Sequence, residues 1–277
     1  MRRLAQRVAV VTGAGGGIGR ALAHRLAAEG ATLALADLSR DALEGVAREL
    51  EARGAAASTH EVDVADAGAV AGFAREVEAR HGRADVLINN AGVALIGDVE
   101  EVSLADIEWL MGVNFWGVVH GVKHFLPLLK RQPESHLVNL SSIFGVIAPP
   151  GQAAYCASKF AVRGFTEALR HELEGTGVSV SCVHPGGIRT GIARAARAGA
   201  AADASRHGDE CARFDRLAVT SPEAAAERIV TGMLRGEPRI LVGRDAAHIA
   251  LIQRLLPARY WRVLRPIVER RAGALRR

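Results

Sequence analysis

Residues 7–19 read RVAVVTGAGGGIG. The first half, Arg7 to Thr12, is a continuous apolar, β-branched run. Continuous rather than alternating apolarity predicts a strand buried on both faces. The second half is a glycine-rich turn, and it opens a helix-forming stretch from Arg20 that Gly30 ends. Glycines let a backbone turn tightly and come close to a pyrophosphate, while a helix N-terminus offers free N–H groups and the positive end of a dipole. Gly13, Gly15, Gly16, Gly17, Ile18 and Gly19 are therefore candidate phosphate contacts.

Outward from this turn, strand and helix patterns alternate. Strands are expected at 32–36, 58–64, 85–89, 136–140, 178–183 and 239–242. Helices are expected at 41–52, 67–81, 155–174 and 222–234, with one or two more over 104–130. This order predicts an α/β fold, a doubly wound parallel sheet of Rossmann type with helices on both faces. Residues 5–243 read as a single dinucleotide-binding and catalytic domain. Residues 191–219 break the rhythm, with many Ala and Arg and no clear strand, as a lid or a surface loop would.

Asp37 ends the second strand, 18 residues beyond Gly19. A carboxylate at that spacing accepts hydrogen bonds from a ribose diol and repels a 2′-phosphate, which favours NAD over NADP. Arg40, three residues on, could pair with a phosphate instead.

A second constellation lies downstream. Tyr155 and Lys159 stand at i and i+4 and share a helical face. An ammonium beside a phenol stabilises the phenolate, and a phenol brought towards neutrality can exchange a proton with an alcohol. Ser142 follows the fifth strand at the end where such sheets bind ligands, so its hydroxyl could orient a substrate oxygen.

With these motifs in place, the chain resembles the classical short-chain dehydrogenase/reductase family. The matching residues are TGAGGGIG at 12–19, Asp63-Val64, Asn89-Asn90-Ala91-Gly92, Asn114, Ser142, YCASK at 155–159, and Pro185-Gly186 with Thr190. Ser142 precedes Tyr155 by 13 residues, the family's separation, which selects it over Ser141. The resemblance implies a proton relay. Tyr155 would be the general acid/base, and Lys159 would lower its pKa and hold the nicotinamide ribose. Ser142 would bind the substrate oxygen, and Asn114 would hold a water leading to Lys159. Asp63 and Val64 would flank the adenine. Asn90, Ala91 and Gly92 would support the cofactor's ribose side. Pro185, Gly186, Ile188 and Thr190 would line the nicotinamide. It also implies a homo-dimer or homo-tetramer.

The stretch 143–152, apolar apart from Gln152, would border the substrate and favour a hydrophobic alcohol or ketone. His184, beside Pro185, could touch cofactor or substrate but reads more readily as an ordinary loop histidine. The histidines have no metal-ligand spacing, so no catalytic metal is expected. The three cysteines, odd in number and scattered, form no disulfide framework. No apolar run approaches the ~18 residues of a membrane span, and the charged N-terminus is no signal peptide. A cytoplasmic location is expected.

From Arg244 to Arg277, nine Arg face only Asp245 and Glu269, a net of +7, which leaves −2 for the rest of the chain. Apolar residues recur there at helical intervals. This C-terminal extension, 244–277, reads as helices packed on the body or on another subunit, or as a basic amphipathic contact with a membrane surface. No nucleic-acid motif accompanies its arginines. A non-catalytic dinucleotide sensor would not need Ser142, Tyr155 and Lys159 together, and a methyltransferase has no use for the Tyr–Lys pair.

Overall fold

The run Val8–Thr12 (β1) is buried at every position, as its unbroken apolarity demands. It lies in the middle of a parallel sheet. On one side stand β2 (Thr32–Asp37) and β3 (Ala57–Glu61), and on the other β4 (Val86–Asn89) and β6 (Ser135–Leu140). The sheet continues through β7 (Val178–Pro185) to β9 (Arg239–Val242), in the order β3-β2-β1-β4-β6-β7-β9. The computed structural model describes residues 3–198 and 216–273.

The chain leaves β1 towards β2 and β3, then returns to place β4 on the other side of β1. Helices must therefore leave the carboxyl ends of β1 and β4 in opposite directions, and a crevice opens between them. Helices α1 (Gly17–Ala28), α2 (Arg40–Glu51) and α3 (Ala67–His81) connect the first four strands. After the short β5 (Leu95–Ile96) come α4 (Leu104–Met111), α5 (Gly117–Lys130) and α6 (Ala153–Glu172). The 104–130 pattern is thus two α-helices, joined by a π-helical turn at Gly112–Trp116. The third strand stops at Glu61, short of Val64, and the sixth helix begins two residues earlier than expected.

Two apolar layers sandwich the sheet. One joins Val11, Leu33 and Ile88 to Leu22 and Leu26 of α1 and Ile229 and Met233 of α7 (Pro222–Leu234). The other joins Val10, Ala34 and Leu87 to Phe73, Val118 and Phe125. Adjacent strand residues serve opposite layers, which is why β1, β2 and β4 carry no polar alternation. Below the sheet, the fully buried Asp85 carboxylate accepts from Arg7, Arg83 and the Val8 N–H at 2.5–2.9 Å. Burial would push its pKa up, but these donors outweigh burial and hold it below the usual carboxylate range.

Within 191–219, residues 199–215 lie outside the described residues. The part before them does hold a strand where none was expected. Residues Arg197–Ala198 (β8) pair with β5. The Arg197 guanidinium stacks 3.6 Å from the Trp109 ring centroid and lies 3.5 Å from Asp106.

The extension forms α8 (Arg244–Leu255) and α9 (Tyr260–Gly273). Ala246 and Leu264 are buried in a cluster with Ile143, Val146 and Ile147, and the Tyr260 hydroxyl accepts from the Ala148 N–H at 3.0 Å. The extension therefore packs on the body. Leu251, Leu255, Leu256, Val263 and Ile267 remain exposed on it. Among the described residues, no helix is long and apolar enough to cross a membrane.

Candidate active site

The glycine turn is shaped by what it touches. Gly13 has φ 64°, and a Cβ there would stand 2.7 Å from Ala91 Cα. Asn90 Nδ2 donates to the carbonyls of Thr12 and Gly13, both at 2.9 Å, and Thr12 Oγ1 accepts from the Asn90 and Ala91 N–H groups at 3.1 Å. So Asn90 and Ala91 lock the end of β4 onto the turn. Gly19 faces the Gly13 carbonyl so closely that a Cβ could not fit. At the crest, a Cβ on Gly16 would meet nothing within 4 Å. Gly16 is the N-cap of α1 and brings no side chain to compete for the first N–H groups of the helix, Gly17 and Ile18 among them. Open space before an uncapped helix N-terminus suits a pyrophosphate, so the residues present fit a dinucleotide. Thr190 closes the far side, since a Cβ on Gly17 would lie 3.1 Å from its methyl.

Asp37 Oδ2 accepts from the Gly15 N–H at 2.8 Å, and Oδ1 from the Ser39 N–H at 3.1 Å. This fixes the carboxylate at the mouth of the turn. Arg40 is exposed and leans on Glu44 at 3.6 Å, one helical turn away. Asp63 is exposed, with Oδ1 on the Ala65 N–H, while Val64 is buried against Gly117.

Ser141 and Ser142 differ sharply. The Ser141 hydroxyl is buried and donates to the Lys159 carbonyl at 2.8 Å. Ser142 caps a short 3-10 turn (Ile143–Gly145) by accepting from the Phe144 N–H, and its hydroxyl interacts with Tyr155. Lys159 and Tyr155 share a face of α6, with Nζ 5.7 Å from the phenol ring centroid and 3.2 Å from the Leu140 carbonyl. A Cβ on Gly92 would stand 3.2 Å from Asn114 Oδ1 and 3.3 Å from Lys159 Nζ, so the chain comes closest to both where glycine leaves room. The π-helical turn carries Asn114 inward. Its amide exchanges two hydrogen bonds with Val93 and gives its other proton to Ser158 Oγ. Ser142, Tyr155, Lys159, Asn114 and Gly92 thus converge, and Ser141 stays outside the group.

The electrostatics depart from expectation. The Tyr155 phenol is not lowered. Burial pushes it up to about 12, and the Ser142 hydroxyl offsets this only in part. Burial also pulls the Lys159 amine down to about 8. Desolvation is the largest cause of both shifts, yet a lysine near 8 is still mostly an ammonium at neutral pH, and a tyrosine near 12 is still a phenol.

Two other expectations need correction. His184 is not a loop residue. It is fully buried in β7, with Nδ1 3.0 Å from the Ser142 carbonyl. Also, Ile143, Val146 and Ile147 are buried against the extension rather than facing a substrate, while Phe144, partly buried on the same cluster, stands edge-on to the Tyr155 ring, centroids 6.1 Å apart.

Pro185 ends β7, Gly186 N–H donates to the Val242 carbonyl, and buried Ile188 bridges to Thr220. The Gly187 N–H donates to Asp245 at 2.7 Å. Sequence reading counted Asp245 only as a charge. Its signal was its place two residues after Gly243, where the last strand gives way to a helix. Thr12 and Ser158 stand inside the quoted motifs, but no role is assigned to them from sequence. Among the described residues, no group of three His, Cys, Asp or Glu could hold a metal ion.

Comparison with known proteins agrees with this architecture. A family model described as short chain dehydrogenase matches residues 7–201. The oxidoreductase SadH of Mycobacterium tuberculosis is 46% identical over 261 residues, covering 93% of this chain and 94% of the relative. The meso-2,3-butanediol dehydrogenase of Serratia marcescens is 40% identical over 190 residues, 69% of this chain and 74% of the relative. A short-chain dehydrogenase/reductase from Burkholderia phymatum, solved in complex with NAD, superimposes with a TM-score of 0.86 at 32% identity, covering 93% of this chain and 96% of that one. A parallel sheet with a glycine turn at its switch point, a family match over most of the chain and relatives of this similarity lead to one assignment: the chain is an oxidoreductase of the short-chain dehydrogenase/reductase family.

Proposed function

We propose that the protein transfers a hydride between NAD(H) and a hydrophobic secondary alcohol or ketone, with Tyr155 as general acid/base. The observation that carries this reading is the convergence of Ser142, Tyr155 and Lys159 beside Gly92, at the carboxyl end of the sheet. NAD(H), when bound, supplies the hydride and, in its oxidised form, a positive charge.

The chain's own groups do the rest. A phenol held near 12 is fully protonated at neutral pH, which is the form a ketone needs as proton donor. Ser142 orients the substrate oxygen towards that proton. In the opposite direction Tyr155 must first lose its proton, and Lys159 is the cation placed to favour that. Asn114 has both amide protons engaged, so its side chain serves by fixing Val93 and Gly92 against Lys159. Phe144 supplies the apolar side of the substrate site. The Serratia relative, named for a secondary alcohol, supports a secondary alcohol as the reacting group.

The pyrophosphate would lie on Gly13 to Gly19, the ribose diol on Asp37 and the adenine flanked by Asp63 and Val64, with the nicotinamide against Pro185, Gly186, Ile188 and Thr190. Asp37 at the mouth of the turn and Arg40 turned to Glu44 favour NAD over NADP. We assign this work to residues 5–243, in a cytoplasmic homo-oligomer. The exposed Trp116 on the π-helical turn and Phe160 on α6 suit a subunit contact. The packing of Leu264 and Tyr260 favours a structural extension over a membrane-surface one.

A panel of secondary alcohols and ketones assayed with NAD(H) and NADP(H) tests the reading. Turnover of apolar members with NAD(H) supports it. Turnover with NADP(H) alone, or none across the panel, contradicts it.

A further inference from the structure

The extension reaches into the loop that our functional reading places against the nicotinamide. Asp245, in the first turn of α8, sends its carboxylate across to the segment after β7. Oδ2 accepts from the Gly187 N–H at 2.7 Å. Two glycines make room for it. A Cβ on Gly186 would stand 2.2 Å from Oδ2, and one on Gly243 would stand 2.3 Å from Oδ1. Gly187 is hemmed in on its other side, where a Cβ would be 2.7 Å from the Leu217 carbonyl oxygen. Gly243 has φ 97°, a conformation that glycine adopts freely and that starts α8 in this direction. Asp245 Oδ1 is buried and has no hydrogen-bond partner among the described residues. A carboxylate oxygen left in that state costs stability, so folding energy alone is a poor reason for an acid here.

What the carboxylate does hold is the path of the loop. Gly186 is pinned to β9 through the Val242 carbonyl, Gly187 to α8 through Asp245, and Arg189 to the Thr220 carbonyl. Beyond these anchors, Thr190 arrives opposite Gly17 of the glycine turn. The loop therefore spans from the extension to the phosphate turn, and Asp245 sets its position midway.

We infer that Asp245 is a positioning residue for the cofactor, holding the Pro185–Thr190 loop where it meets the nicotinamide half of the dinucleotide. The extension is thereby part of the cofactor site. This inference rests on the functional reading above, and the test separates the two. Binding of NADH is followed by fluorescence and binding of ADP-ribose, which lacks the nicotinamide, by calorimetry. Wild type binds both. Asp245→Ala removes the acceptor, and Asp245→Glu keeps the charge but is too long for the glycine cradle. Each should weaken NADH by about tenfold, the worth of roughly one hydrogen bond to a charged group. ADP-ribose should be unchanged. Asp245→Asn keeps one oxygen for Gly187 and should restore most of the NADH affinity. Unchanged NADH affinity in both the Ala and Glu variants overturns the inference, as does an equal loss for both ligands. If wild type binds neither ligand, the functional reading itself falls.

Discussion

His184 Nδ1 lies 3.0 Å from the main-chain oxygen of Ser142. A carbonyl can only accept, so Nδ1 carries the proton and Nε2 is the bare nitrogen. Nε2 is buried and has no partner among the described residues, and burial pulls the ring down to about 4. A neutral histidine of fixed tautomer thus holds the residue placed to orient the substrate. His184→Ala should free the Ser142 backbone and lower kcat by about tenfold, with little change in NADH affinity. Steady-state rates and NADH titration check this. A loss confined to NADH binding would place the effect elsewhere.

Asp37 should reject NADP by charge and by filling the space of a 2′-phosphate. Asp37→Ala should narrow the ratio of kcat/KM for NAD over NADP by at least about tenfold. A wild type that already prefers NADP would contradict the reading of this acid.

Acid should destabilise the fold through two histidines. Burial holds His136 down at about 3 and His184 at about 4, whereas an unfolded histidine titrates near 6.5. The folded state refuses protons that the unfolded chain accepts. The stability kept by these neutral rings is complete above pH ~6.5 and is lost as pH falls below it, by about 1.4 kcal/mol per pH unit and per ring. Urea midpoints at pH 7 and pH 5 check this. His184→Gln should show the shallower slope, and an unchanged wild-type midpoint would contradict the account.

Two leucine-like residues on α9 test how the extension is held. Leu264 is 3% exposed and Ile267 is 42% exposed. Leu264→Ala should cost about 2–4 kcal/mol by opening the cluster with Ile143 and Val146, and Ile267→Ala should cost well under half of that. Denaturant unfolding reads both. Equal, small losses would mean that the extension stands off the body.

Much of this was legible from local pattern. The alternation of apolar strands with amphipathic helices, and the glycines where β1 meets α1, specify the sheet and its switch point through short-range physics. The last strand, Arg239–Val242, appears as its sequence reads. The convergence of Ser142 with Tyr155 and Lys159 was legible through motif spacing. Three things were not. The π-helical turn at Asn114 depends on tertiary contact with Val93 and Ser158, which no local periodicity encodes. The apolar residues of 143–147 looked like a substrate wall, because the sequence does not reveal that α8 and α9 fold back over them. The rise of the Tyr155 pKa is a burial effect, and burial belongs to the fold rather than to the i, i+4 spacing.

The claim that Tyr155 moves the proton is tested most directly by Tyr155→Phe, which keeps the ring and removes only the oxygen. The rate of NADH oxidation with the best ketone of the panel should fall by about 10²–10⁴-fold, while NADH still binds with near wild-type affinity. A variant that turns over within tenfold of wild type would contradict the account.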